Sequence, residues 1–252
     1  MSVYIHGGLR SPIGVLNGQY KHMRPEILGS QVIDEIINRY SISHIDGIFC
    51  GNAVGTGGNL GRLMGLMCNL PNYVPAITVD MQCASALMSI EIAYAHIVSG
   101  IMDSAIAGGI ESSSLQPERV YASGDDREGP YKVAQFTPQD QSPLAMLEGA
   151  ERTIHKHNVT KEDLYPHIID SHQRASAALD NPYLQSYIMP ITIDGKRCID
   201  ECIRPTMNEK FLSRMKPLLG VDSITNAGNA CLTHDGAAFV YLSNKKGPFK
   251  IH

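Results

Sequence analysis

The stretch TVDMQCASALMSIEIAYAHIVSG, residues 78–100, decides the reading of the fold. With the two residues before it, its opening gives AITVDM, a short apolar run of the kind found in a buried strand. From Ala84 onward the apolar residues recur at helical spacing until Gly100, which ends the pattern as a helix C-terminal cap does. The helix is almost wholly apolar apart from Ser89, Glu91 and His96, so it is expected to lie buried at the centre of its domain. Cys83 stands where strand gives way to helix.

The same rhythm extends in both directions. SVYIHGG (2–8) and IDGIFCGNAV (45–54) read as strands, EILGSQVIDEIINRY (26–40) as an amphipathic helix, and GRLMGLMCNLP (61–71) as a helix stopped by Pro71. After Gly100, MDSAIAGGIESSS (102–114) is another strand. Strands joined by helices argue for a mostly parallel sheet with helices on both faces. From about Gln116 the texture changes to a polar segment rich in Gly and Pro. Two helical patterns follow, LAMLEGAERTIHKHN (144–158) and TKEDLYPHIIDSHQRASAALD (160–180). The strand signature returns after Pro217 in GAAFVYLSN (236–244), so the sheet is expected to take its last strand from the far end of the chain. The expected organisation is a sheet domain of residues 1–115 and 218–252 with an α-rich insertion at 116–217.

Bulk properties exclude several classes. The 252 residues carry 21 basic and 25 acidic side chains, a net charge of −4, without the clustered basic excess of a nucleic-acid-binding surface. Neither a basic leader followed by an apolar stretch nor a run of about 18 apolar residues is present, which reads as a cytoplasmic chain without a membrane span. The six cysteines are irregularly spaced, as suits reduced thiols, and the lone Cys198/Cys202 pair makes a poor zinc site. GNAVGTGGNLG (51–61) has neither the ending of a phosphate-binding P-loop nor a Gly-x-Gly-x-x-Gly, and reads as tight turns.

Two readings of Cys83 stand side by side. Free cysteine often behaves as a small buried hydrophobe. A thiol at the start of a helix, in contrast, faces the positive end of the peptide dipoles and unpaired N–H groups, which favour the nucleophilic thiolate. Those N–H groups are also placed to hold the oxyanion formed when sulfur attacks a thioester carbonyl.

VDMQCASALMSIEIAYAHIVSGIMDSAIAGGIESSS resembles the nucleophile segment of the thiolases, in which a Cys-Ala-Ser or Cys-Gly-Ser heads a helix and a Gly-Gly-x-Glu-Ser strand follows. SVYIHGGLRSPIG resembles the family's opening strand, DSHQRASAALD and DECIRPTMNEKFLSRMKP its loop domain, and NAGNACLTHDGAAFVYLSN its Ala-Gly-Asn segment. The resemblance implies a five-stranded mixed sheet with helices on both faces, plus a CoA-binding loop domain. It implies an acyl-CoA acyltransferase in which Cys83 is the nucleophile and its own N–H one donor to the acyl oxygen. Arg204 would contact the nucleotide end of CoA, Met146 the rim of the acyl pocket, and Cys231, where the family has a serine, the pantetheine arm. No cofactor or metal is implied, because the CoA thioester is the substrate. The resemblance also implies a homo-oligomer.

The departures are specific. The family's second half supplies a histidine in Gly-His-Pro, a cysteine in Cys-x-Gly and a water-holding asparagine, and none of these motifs occurs here. His96 lies 13 residues along the helix from Cys83, about 20 Å, which leaves His234 as the fallback base. Ala86 replaces a glycine beside the nucleophile, Ala145 a pantetheine-contacting histidine, and Leu232 a glycine next to Cys231. Three readings follow: an acyltransferase half working with a separate C-terminal-half protein, an acyl-CoA-binding or partner-binding module without turnover, and a ketoacyl-synthase-like condensing enzyme. GGIES and NAGNA disfavour the third.

Overall fold

A computed structural model of the chain describes every residue except Thr56, Phe136, Asp140, Leu232 and His252. Its first part runs β1 (Val3–Arg10), β2 (Gly14–Val15), α1 (Pro25–Arg39), β3 (Gly47–Gly51), α2 (Leu60–Met67), β4 (Ala76–Val79), α3 (Ser85–Val98) and β5 (Ser104–Ser112). Two short strands follow, β6 (Arg119–Val120) and β7 (Pro130–Tyr131), then α4 (Ala145–Lys156), α5 (Lys161–Leu179) and α6 (Pro182–Gln185). The remainder comprises β8 (Thr192–Ile193), β9 (Lys196–Arg197), α7 (Glu209–Leu212), β10 (His234–Ser243) and β11 (Phe249–Ile251).

The main sheet has the order β11-β1-β10-β5-β3-β4, and β2 pairs with β10. β3 is parallel to β4 and β5, whereas β10 is antiparallel to β5 and β1, so the sheet is mixed. The five expected strands form its body, and the short β2 and β11 extend it to seven. β10 does come from the far end of the chain, and it enters the middle of the sheet, between β1 and β5, in register from Asp235↔Ser112 to Ser243↔Ser104.

Side-chain alternation along the strands sorts the two faces. Ile48, Cys50, Ile106 and Phe239 turn to the side covered by α1 and α2, where Leu28, Val32, Ile33, Ile36 and Met64 complete a buried cluster. Phe49, Ala105, Ala107 and Leu242 turn to the other side, against Ala93 and Ile97 of α3. The inward stripe of α3, Ser85, Ser89, Ala93 and Ile97, is made mostly of small residues. Ser89 Oγ anchors it, donating to the Gly108 carbonyl and accepting from the Gly108 N–H. α3 is not buried all round as expected: Leu87 is 68% exposed and Val98 36%. Apolar composition alone cannot tell a core face from an exposed one.

The chain divides into two compact units. The sheet unit holds Met1–Gln116, Pro182–Cys202 and Thr233–His252, and the second holds Pro117–Asn181 and Ile203–Leu232. The boundaries therefore differ from the expected insertion at 116–217 in two places: residues 182–202 return to the sheet unit, and the second unit runs on to residue 232, past the expected boundary at 218. Arg10 forms a bidentate ion pair with Asp200 at 2.8 and 2.7 Å, Asp200 also accepts the Ile13 N–H, and Glu201 accepts those of Val15 and Gln19. Met189, Ile191 and Cys198 join the sheet's core. In the second unit, Thr160 and Asp163 form a capping box that starts α5, and Tyr165, Met207 and Leu212 make a small core with Ile168, Ile169 and Met215. Among the described residues no helix is long and apolar enough to cross a membrane.

Candidate functional site

Between β4 and α3 the chain makes a tight turn that carries Cys83. Gln82 adopts the left-handed conformation, φ 52°, which is costly for a non-glycine residue and needs support from its surroundings. Asp80 Oδ1 accepts the Gln82 N–H at 2.9 Å, the Ala84 N–H donates to the Met81 carbonyl, and the Ser85 N–H to the Gln82 carbonyl. The Ser85 hydroxyl, only 4% exposed as a residue, ties both arms of the turn together: it accepts from the Met81 N–H at 2.8 Å and donates to the Gln82 carbonyl at 2.6 Å. Cys83 stands exposed on this turn, one residue ahead of the N-cap Ala84, at the junction of strand and helix. Ala84 gives the helix no side-chain cap, so the N–H groups of the first turn lack the partner that Ser, Thr, Asp or Asn would supply.

The helix start is pressed onto the sheet through two glycines. A Cβ on Gly51 would lie 2.4 Å from the Ala86 nitrogen, and one on Gly109 would lie 2.9 Å from the Gly51 oxygen and 3.0 Å from the Ala86 Cβ. The Ala86 methyl is thus turned toward the sheet at Gly109. Beside it, Glu111 fixes the segment after β3: Oε1 accepts from the Asn52 side chain at 2.9 Å, and Oε2 from the N–H groups of Ala53 and Val54 at 3.0 and 2.8 Å. An apolar groove of about 500 Å³ runs alongside, lined by Ala86 and Ile90 of α3 and by Leu9, Ala107 and Phe239 of the sheet.

The other thiols differ from Cys83. Cys50, Cys68 and Cys198 are buried, and burial pushes the first two up to about 12. Cys202 is half-buried and Cys231 exposed. Among the described residues no group of three or more His, Cys, Asp or Glu side chains is arranged to hold a metal ion.

Among the described residues neither candidate histidine makes a hydrogen bond or ring contact with the turn. The His96 ring shares a hydrogen bond with the Ile92 carbonyl through Nδ1 and packs on Phe49. His234, opposite Val15, has a buried Nε2 that lacks a hydrogen-bond partner among the described residues. Cys83 Sγ has none either.

Met146, Arg204 and Cys231 all belong to the second unit and Cys83 to the first. Met146 is 74% exposed near the start of α4. Arg204 is exposed, its N–H donates to His172 Nδ1 at 3.2 Å, and burial together with the Arg204 charge holds His172 below the ordinary histidine value. Leu232, expected to narrow the passage beside Cys231, lies outside the described residues. Glu151 of α4 organises the approach to Cys231, accepting from the N–H groups of Ile224 and Thr225 and from the hydroxyls of Ser223 and Thr225.

Sequence reasoning passed over Ser85, Glu111 and Glu151. Their signals were a serine two places after the cysteine, a glutamate two places after paired glycines, and an acid four residues before His155 on a helix, with which it pairs at 3.2 Å.

Residues 3–246 match the family model described as thiolase, N-terminal domain. A Staphylococcus epidermidis protein provisionally named acetyl-CoA C-acetyltransferase VraB is 34% identical over 245 residues, covering 92% of this chain and 62% of the relative. Its Staphylococcus aureus MRSA252 counterpart is 30% identical over 249 residues, covering 96% and 65%. In structure the chain is similar to the Bacillus anthracis acetyl-CoA acetyltransferase, with a TM-score of 0.83, 26% identity, and coverage of 96% of this chain and 65% of that one. It is equally similar to the human mitochondrial 3-ketoacyl-CoA thiolase in complex with CoA, with a TM-score of 0.83, 25% identity, and coverage of 96% and 64%. The chain spans just under two thirds of the length of these relatives.

Proposed function

The chain belongs to the thiolase family by the match of its residues 3–246 to that family's N-terminal domain, and from this premise we propose that it is the nucleophile-bearing part of an acyl-CoA acyltransferase. The observation that carries the reading is the placement of Cys83, exposed on a braced turn directly ahead of a helix whose N-terminus has no side-chain cap.

In this reading the Cys83 sulfur attacks the carbonyl carbon of an acyl-CoA thioester. The carbonyl becomes an oxyanion held by the Cys83 N–H and by backbone N–H groups of the first helical turn, and its collapse breaks the bond to the CoA sulfur. CoA leaves and takes a proton, while the acyl group remains on Cys83 as a thioester. A second CoA, or the α-carbon of a second acyl-CoA, then accepts the acyl group and regenerates the thiol. Arg204 serves the nucleotide end of CoA, Met146 the rim of the acyl pocket and Cys231 the pantetheine arm. The CoA thioester is a substrate, so no cofactor is required.

Proton transfer needs a positioned acid–base group. With His96 tied into its own helix, that group is assigned to a C-terminal-half protein of the same family, which docks on the apolar groove and on the exposed side of α3. The chain also self-associates, and it acts in cytoplasmic lipid metabolism.

The test is incubation of the chain with acetyl-CoA, followed by peptide mapping. An acetyl group on the Cys83 peptide, absent in Cys83→Ser, is expected. Acetylation spread over several cysteines, or none on Cys83 even with a C-terminal half added, would remove the reading. Acylation without turnover after that addition would favour the binding module.

A further inference from the structure

Ser85 is only 4% exposed, and its hydroxyl is spent within the turn. Both of its hydrogen bonds across the turn close on the two residues before Cys83, the Met81 N–H at 2.8 Å and the Gln82 carbonyl at 2.6 Å. Between those contacts Gln82 is held at φ 52°, a conformation that glutamine leaves readily when nothing restrains it. The Ser85 backbone meanwhile rests on the sheet, where the position of a Gly51 Cβ lies 2.4 Å from its carbonyl carbon. The hydroxyl therefore links a fixed point on the sheet to the strained residue that aims the thiol.

We propose that Ser85 is a positioning residue for Cys83: its hydroxyl locks the left-handed turn at Gln82 and so sets the direction in which the sulfur leaves the chain, relative to the N–H groups at the start of α3. The inference rests on the reading of Cys83 as the nucleophile and adds the group that orients it. Ser85 itself does not touch the substrate. Without the hydroxyl, Gln82 relaxes out of the left-handed region, the Met81 N–H loses its acceptor, and Cys83 swings away from the helix N-terminus. The helix, still docked through Ser89 and the glycine floor, stays in place.

The experiment measures the rate at which iodoacetamide alkylates Cys83, by peptide mapping, in the full chain and three variants. In this reaction the sulfur forms a bond to carbon and iodide departs. Ser85→Ala is expected to slow Cys83 by at least about fivefold, since small misplacements of a reacting atom carry large rate costs. Ser85→Thr, which keeps the hydroxyl, is expected to restore the rate. Threonine's methyl has to fit beside Gly51, so Ser85→Ala combined with Gln82→Gly gives an independent arm: glycine enters the left-handed region without cost, and the turn no longer needs its brace. Recovery in either arm supports the proposal. Alkylation of Ser85→Ala at the wild-type rate overturns it, and so does a slow Ser85→Ala that neither variant rescues. General loosening of the fold is read separately, because it would open the buried Cys50 and Cys68 to reagent and not slow Cys83. The comparison is a ratio to wild type, so it stands whether or not acetyl-CoA labels Cys83, the result on which the nucleophile reading depends.

Discussion

Glu111 Oε2 accepts hydrogen bonds from two successive backbone N–H groups, those of Ala53 and Val54, while its Oε1 accepts from Asn52. One carboxylate thus shapes the whole exit from β3. Glu111→Gln replaces an acceptor oxygen by an NH₂ group that cannot serve these donors, and is expected to destabilise the sheet unit by about 1–3 kcal/mol, as an unpaired half-buried polar group does. Urea unfolding followed by circular dichroism measures this, and an unchanged midpoint would contradict the clamp.

Gly51→Ala places a methyl 2.4 Å from the Ala86 nitrogen, against backbone that cannot swing aside. A cost of at least about 2 kcal/mol is expected, with α3 lifted from the sheet. Amide hydrogen exchange in α3 should rise even where the variant remains folded. If exchange in α3 stays at the wild-type level, the close docking is wrong.

Glu151 gives a pH dependence. Burial works against its ionisation, but the hydrogen bonds from Thr225, Ile224 and Ser223 outweigh it and draw the carboxyl from 4.5 down to about 2. A folded value below the unfolded one means that the contribution is complete above about pH 4.5 and fades as the pH falls toward 2. The amide of Thr225 should therefore lose exchange protection across that window, and in Glu151→Gln it should be weakly protected at every pH. Protection that is flat from pH 5 to 2.5 in the wild type would argue against it.

Asp200 faces Arg10 with its side chain 10% exposed and also receives the Ile13 N–H. Asp200→Asn leaves a half-buried guanidinium without its counter-charge and should cost about 2–3 kcal/mol. Residues 182–202 should become the first site of limited proteolysis, and cleavage elsewhere at wild-type rates would show that the ion pair does not anchor them.

The sequence made some levels of this molecule readable and hid others. Strand–helix alternation was legible because each apolar run carries its own period, and β10 announced itself through GAAFVYLSN. The return of 182–202 to the sheet was not, because its anchors are single residues, Asp200, Glu201 and Cys198, without a repeating pattern. Cys83 was found from its place at the strand–helix junction. The left-handed turn that presents it was not, since the angle at Gln82 is supported by Ser85 and not by glutamine's own preference. The covered and bare faces of α3 were indistinguishable for a simpler reason: small and large apolar residues weigh alike in a helical pattern, whereas the stripe against the sheet is mostly small, Ser85, Ser89 and Ala93, with Ile97 alone large.

β10 fills the gap between β1 and β5, and its pairings span most of the chain, from Tyr4↔Ser243 on one side to Asp235↔Ser112 on the other. β3, β4, α3 and β5 are close in sequence and can assemble early, but β1 has no place beside them until residue 243 has left the ribosome. Closing such long loops before any pairing is gained makes folding slow. During that interval the inner edge of β5 is an open row of backbone donors and acceptors, the feature through which unfinished sheets aggregate. The strand made after the second unit is therefore the one that closes the open edge of β5.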